Sequence, residues 1–262
     1  MHTIYESGNR PMTLNITITC NGKKRFRVWS EELNKKNSKY ASREIDVENT
    51  REIQFSFPVS PKKLFIGCMN VQNPNDQSFD VKIEETPLKK YNIWIDKETE
   101  DFVQLAINFS QVCGFEMPKA KGTIYQTPDA KFNIKYFPVI KDFVSGQILS
   151  TPARIGHNSG IIETSAIKFM PYTIPMRMMI LLHEFSHKYK NPKIGLQVSN
   201  EFGADINALY IYLGLGFSKI DAITVFAKVF LKAQTDGNIQ RMRKILDYIN
   251  KFENKEYAQL LS

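Results

Sequence analysis

Residues 171–192 restrict the chain more tightly than any other stretch. Pro171 and Pro175 stand at one end and Asn191-Pro192 at the other, with Met176, Met179, Ile180 and Leu181 on one side between them. Proline is tolerated in the first turn of a helix but pushes the residue before it out of helical geometry. A single helix is therefore expected, starting near Pro175 and stopping at Asn191-Pro192. Inside it, His183-Glu184-Phe185-Ser186-His187 fits the pattern H-E-x-x-H. Side chains four apart on a helix share one face, with Cβ atoms about 5–6 Å apart. Two imidazoles can then reach one metal ion, while Glu184, one step round, can touch a water beside it.

A zinc ion that acts on substrates takes three protein ligands and keeps one position open. Glu201, fourteen residues after His187 (201 − 187), is the candidate third ligand. It opens a second expected helix, from Ser199 or Asn200 to Leu213, with Ser199 as N-cap and Gly214 and Gly216 as stops. Asp205 lies four residues after Glu201 and looks the same way. It can orient an imidazole by accepting its other N–H. Gly203 and Ala204 are small enough for the two helices to pack closely.

With these residues in place, His183-Glu184-x-x-His187 followed by Glu201-x-x-Ala204-Asp205 resembles the gluzincin metallopeptidases. The branch most similar carries the H-E-x-x-H and E-x-x-A-D signatures and includes the prenyl-protein (CAAX) endopeptidases and their soluble relatives. The resemblance covers residues 98 to 235. It implies one zinc ion per chain on His183, His187 and Glu201, with Glu184 as the catalytic base. It also implies that the strand expected over residues 160–169, with Gly160, Ile161, Ile162, Glu163 and Thr164, forms a sheet edge along the cleft. An extended peptide could pair there by β-strand addition; an ordinary sheet strand is the alternative. The membrane endopeptidases carry transmembrane helices, whereas this sequence has no run of about eighteen apolar residues. The resemblance thus bears on chemistry and not on a membrane substrate.

Charge suggests another class of partner. The net charge is +8, but the basic residues are scattered, as in Lys23-Lys24-Arg25, Lys35-Lys36, Lys62-Lys63 and Lys89-Lys90. Solvated surface is the plainer reading, and nucleic acid is not an expected partner. Cys20, Cys68 and Cys113 are widely spaced and form no C-x-x-C pair, so they read as free thiols in a reducing compartment. The opening MHTIYESGNRPM is too polar for a signal peptide. Location is expected to be cytoplasmic or, given a Lys-, Asn- and Ile-rich composition that suits a phage, virion-associated. The glycosylation patterns Asn15-Ile16-Thr17 and Asn108-Phe109-Ser110 would then be idle.

The expected fold class is α+β. Residues 1–87 read as a small antiparallel β-sandwich or barrel, an accessory domain for docking a partner. Residues 12–20 alternate as a strand, Asn21-Gly22 is a hairpin signal, and Arg25–Trp29 returns. Residues 31–42 read as a loop, and further strands are expected at Glu44–Val47, Glu52–Phe57, Leu64–Met69 and Phe79–Glu84. Thr86-Pro87 marks the boundary to a zincin-like metallopeptidase domain, residues 88–262, of helices packed on a small mixed sheet. Its expected elements are a strand Tyr91–Ile95, a helix Glu98–Cys113, and strands Lys121–Gln126 and Phe132–Phe137. After the motif helices, Ser218-x-x-Asp221 resembles a capping box that opens a helix through Ala233, with Val229 and Phe230 as core. Gly237 breaks it before a last helix, Asn238–Tyr248.

The function expected from these residues is zinc-dependent hydrolysis of peptide bonds in a protein or peptide substrate. The transition-state stabiliser is not fixed by sequence; His157, in the stretch before residue 160, and Tyr210 are candidates, with Tyr212 and Arg241 beside them. Two alternatives stand next to this reading. One is a non-catalytic structural or binding protein, of a phage particle for instance, that retains a zincin fold and works through its N-terminal region. The other is a regulatory peptidase with a single cognate protein substrate.

Overall fold

Two long strands organise the first third of the chain. In the computed structural model, which describes residues 1–89, 91–189, 191 and 201–254, β1 (His2–Glu6) is followed by β2 (Met12–Glu32) and β3 (Lys39–Phe57), with β4 (Lys63–Asn70) and β5 (Phe79–Thr86) after them. β2 pairs with β3 on one side. On its other side its first half, Thr13–Cys20, pairs with β5, and its second half, Phe26–Glu32, pairs with β4. β4 in turn pairs with β1. All these pairings are antiparallel.

The hairpin expected at Asn21-Gly22 does not form. The strand runs on through it as a bulge, with Thr19 opposite Thr50 and Lys23 opposite Glu48. Gly22 (φ +71°) and Asn49 (φ 65°) supply the left-handed backbone that this needs. Three residues of β2 stand here against one of β3, and this even offset leaves the inward face unchanged. Met12, Leu14, Ile16 and Ile18 before the bulge therefore share one apolar cluster with Phe26 and Val28 after it. The real turn lies at residues 33–38, so half of the loop expected over 31–42 is strand, and Glu44–Val47 and Glu52–Phe57 are one strand. Apart from Ile174, the cluster draws only on residues of the sheet, which therefore coils over its own inner face. β1 and β3 remain open edges, so no barrel closes.

The rest of the chain runs α1 (Lys97–Val112), β6 (Thr123–Gln126), β7 (Asn133–Phe137), β8 (Ala153–Ile155), β9 (Ile162–Ser165), α2 (Ala166–Phe169), α3 (Ile174–Ser186), α4 (Glu201–Gly214), α5 (Lys219–Val225), a π-helical turn (Phe226–Phe230) and α6 (Asp236–Glu253). The class is α+β, as expected. β6–β9 form a mixed sheet in the order β6-β7-β9-β8, in which only β7 and β9 are parallel. No helix among the described residues is long and apolar enough to cross a membrane.

Local chemistry sets the helix ends. Asp96 accepts the Thr99 N–H at 2.8 Å to start α1, and Thr173 accepts from Met176, with Pro175 in the first turn, to start α3. Every residue of α3 is buried. It is the middle of a second apolar cluster that includes Phe102 and Phe109 of α1 and Leu209 of α4. Phe102 stacks on Phe185 with ring centroids 4.1 Å apart. α3 ends at Ser186 rather than running on to Asn191. His187 is its capping residue and keeps right-handed helical backbone (φ −65°, ψ −26°), so the two histidines remain one turn apart. Pro192, Ser199 and Asn200, named above as stop and start signals, lie outside the described residues.

Four other expectations are corrected. Tyr91–Ile95 forms no strand; it packs beside α4, where the Trp94 N–H donates to the Tyr210 hydroxyl at 3.0 Å. Residues 160–169 are strand only over Ile162–Ser165, before α2 begins. The helix after Ser218 divides into α5 and the π-helical turn. Ser218 does cap it, on the Ile220 N–H, but Asp221 leaves the capping box for Arg43 on β3, 2.8 Å away. Lastly, α6 starts before Gly237, capped by Thr235.

Arg177 of α3 joins the β-rich region to the helices. It is wholly buried and donates to three backbone carbonyls: Ser110 at 2.8 Å, Asn37 at 2.7 Å and Met170 at 2.6 Å. Removing the guanidinium strands three acceptors away from water. Arg177→Met is expected to cost about 3 kcal/mol or more of stability, read as a lowered urea midpoint.

Candidate metal centre

α3 and α4 lie side by side, tied by a hydrogen bond of 2.8 Å from the Asn207 amide to the Ser186 hydroxyl. Gly203 and Ala204 of α4 are buried. From the facing sides, three donor groups converge. His183 Nε2 is 3.1 Å from His187 Nε2 and 3.4 Å from Glu201 Oε2, and His187 Nε2 is 3.6 Å from Glu201 Oε1. A tetrahedral zinc with ligands about 2.0–2.1 Å away holds its donor atoms roughly 3.3–3.4 Å apart. The donor triangle therefore has the size of one face of such a tetrahedron, and two imidazoles with one carboxylate are a donor set suited to zinc.

The other nitrogen of His183 is also engaged. Its Nδ1 faces Asp205 Oδ1 at 2.9 Å, which turns Nε2 towards His187 and Glu201. Asp205 is wholly buried and is held by Arg241 of α6, whose Nη2 lies 2.7 Å from Asp205 Oδ1. The same Nη2 donates to Glu201 Oε2 at 3.1 Å. One guanidinium thus fixes both the Glu201 carboxylate and the carboxylate behind the histidine. Phe230, at the end of the π-helical turn, closes over the ring of His183 with centroids 4.0 Å apart.

The electrostatics favour a cation. Burial opposes charge on His183, but Asp205 and Glu201 outweigh it and lift the pKa to about 9. The contact with His183 is the main cause that lowers Glu201 to about 2. His187 is shifted down by burial and by the charge on His183. Between these groups the site draws positive charge, and a divalent ion answers that demand. Glu184 is not one of the three donors, but it lines the same cleft. It is buried, accepts a hydrogen bond from the Ile155 backbone N–H, and has its pKa raised first by burial and further by Glu201, against the pull of His183.

A cleft of about 550 Å³ opens on this centre, lined by His183, Glu184, His187 and Glu201, by Ser150–Arg154 leading into and along β8, and by Val229, Phe230 and nearby lysines. No protein-family model, curated protein or solved structure matches the chain. The reading of the site rests on its own geometry.

The remaining sequence candidates separate clearly. Glu201 and Asp205 meet the histidines, as their spacing indicates. The residues proposed as an edge strand do not form one. Gly160 and Ile161 belong to the β8–β9 turn, where the Gly156 N–H donates to Ile161 O. Ile162, Glu163 and Thr164 have β7 on one side and β8 on the other, so their backbone groups are committed. The sheet edge facing the cleft is β8. His157 sits exposed in that turn and is not among the residues that line the cleft. Tyr210 is turned away as well: nine residues after Glu201, it projects from nearly the opposite face of α4 and binds Trp94. Tyr212 is buried against Phe217, with centroids 4.7 Å apart. Neither tyrosine lines the cleft.

β8, Phe230 and the dual grip of Arg241 are what sequence reasoning missed. β8 spans three residues, too few for any periodicity. Arg241 is far along the chain, on a helix whose start the sequence misplaced. Arg241→Met is expected to weaken zinc binding by about 10–100-fold, as loss of a partner behind a metal ligand does. A competition titration with a zinc chelator measures this, with helix content unchanged by circular dichroism.

Proposed function

We propose that the chain is a zinc-dependent endopeptidase of gluzincin type. In this reading residues 88–262 are a zincin-like peptidase domain, and residues 1–87 are a sandwich-like accessory module that docks a partner. The single observation that carries it is the donor triangle of His183, His187 and Glu201, with the buried carboxylate of Glu184 beside it in the same cleft.

His183, His187 and Glu201 would hold one zinc ion per chain, with Asp205 and Arg241 fixing their orientation. A zinc ion held there supplies Lewis acidity, towards water and towards a carbonyl oxygen. Glu184 acts as the proton carrier. Its carboxylate accepts a proton from the attacking water and returns it to the leaving amine, and a pKa raised by burial suits a group that must do both near neutrality. The Ile155 N–H holds that carboxylate still. β8 is the sheet edge at the cleft; its Ile155 N–H is taken by Glu184 and its Ala153 carbonyl by the Thr151 hydroxyl, and the outer backbone groups left over could pair with an extended protein or peptide substrate.

The test is Glu184→Gln, which keeps the shape of the side chain and removes the base. We expect about one zinc per chain in both proteins and a loss of at least about 10²–10⁴-fold in kcat on a peptide substrate. Undiminished turnover would refute the mechanism. One zinc per chain in a wild type that cleaves no peptide would favour a binding protein built on this site.

A further inference from the structure

Charge in and beside the cleft is one-sided. Every carboxylate that lines it or the adjoining hollow already has a partner. Glu184 and Glu201 belong to the metal centre. In the hollow that shares Lys168, Tyr172 and Lys228 with the cleft, Asp221 is taken by Arg43 and Glu44 by Arg27 at 2.6 Å. Arg154 on β8 is neutralised by Glu163 at 2.7 Å.

What remains is lysine. Lys168, Lys228 and Lys232 line the cleft, and Lys39 continues the line into the hollow. All four are exposed, and none has an acidic partner among the described residues. In the sequence, residues 187–200 between α3 and α4 contain no Asp or Glu, and residues 255–262 contain Glu256 alone. Lys228 stands on the π-helical turn whose end places Phe230 on His183, and Lys232 follows just after it. The turn that covers the candidate metal centre therefore also carries one of the cations, Lys228, with Lys232 just past its end, while Lys168 comes from α2 and Lys39 from β3. A divalent ion bound by one carboxylate adds a further positive charge to the same cleft.

We infer that this cleft selects acidic peptides: an extended segment carrying Asp or Glu within a few residues of the bond held at the metal centre, read by Lys168, Lys228 and Lys232. The inference rests on the peptidase reading for the place of the bond. An acidic segment is favoured over nucleic acid because the backbone groups of the edge strand β8 not already held by Glu184 and Thr151 can pair with a peptide and not with a phosphodiester chain. Unpaired cations around a low-dielectric cleft raise the local concentration of an anionic substrate and its rate of association.

The experiment uses zinc-loaded full-length protein and labelled peptides of equal length with acidic, neutral or basic side chains, beside a single-stranded oligonucleotide of matched charge. Binding is measured on Glu184→Gln and cleavage on wild type. The acidic peptide should bind at least about tenfold more tightly than the basic one at low salt, and the advantage should shrink at about 0.5 M salt. Lys228→Glu/Lys232→Glu should erase most of it while zinc content stays the same. Equal binding of the three peptides, a preference unmoved by the charge reversal, or an oligonucleotide bound as tightly as the acidic peptide would overturn the inference. Cleavage of all three peptides at equal kcat/KM would overturn it and leave the peptidase reading intact. Cleavage of none would overturn the peptidase reading, and the binding measurement would still decide the charge preference.

Discussion

His183 is almost wholly buried, and a buried imidazole needs a partner at each nitrogen. That requirement organises the centre of the molecule. Asp205 meets Nδ1, and the convergence with His187 and Glu201 meets Nε2. Asp205, wholly buried, could not sit there unsupported, since a buried charge without a partner is costly. Arg241 supplies that support from α6, and so the last helix is tied to the two that carry the motif. Pairing of α3 with α4, closure by Phe230 and docking of α6 are packing consequences of placing one histidine in the interior.

The same logic recurs where the β-rich region meets the helices. Arg177 finds only backbone carbonyls, and one of them belongs to Asn37 in the turn between β2 and β3. Arg43 of β3 reaches Asp221 of α5, while Tyr40 accepts from Gln111 of α1. Ile174, at the start of the motif helix, is buried in the apolar cluster of the sheet. The helix that carries the histidines is therefore clamped from both sides, and its register cannot drift without disturbing both cores. Rigid support of this kind is what a site needs if donor atoms are to hold their spacing.

The site was largely legible in the sequence because its spacing is local. Residues four apart on a helix must share a face, and that alone brought His183 to His187 and Glu201 to Asp205. Several elements were legible as well: the helix expected over Glu98–Cys113 is α1, and the strand expected over Phe132–Phe137 is β7. The failures are those of signals with two meanings. Asn-Gly supplies left-handed backbone to a hairpin and to a bulge alike; residues 23–32 continue as strand because β3 and β4 both receive them, and that partnership is non-local. Ser218 with Asp221 reads as a capping box until Arg43 takes the carboxylate. The edge strand at the cleft lies one strand earlier than expected, because Ile161-Ile162 stands out in the sequence and the three residues of β8 do not. Side chains that meet the centre from another helix, such as Arg241, leave no spacing to find.

X-ray absorption at the zinc edge of the purified full-length protein tests the central claim most directly. Zinc held by His183, His187 and Glu201 should show a first shell of light atoms about 2.0–2.1 Å away, with the outer scattering of two imidazoles and the remainder oxygen. A sulfur ligand at about 2.3 Å, a shell of three or four imidazoles, or a protein that takes up no zinc would contradict the claim.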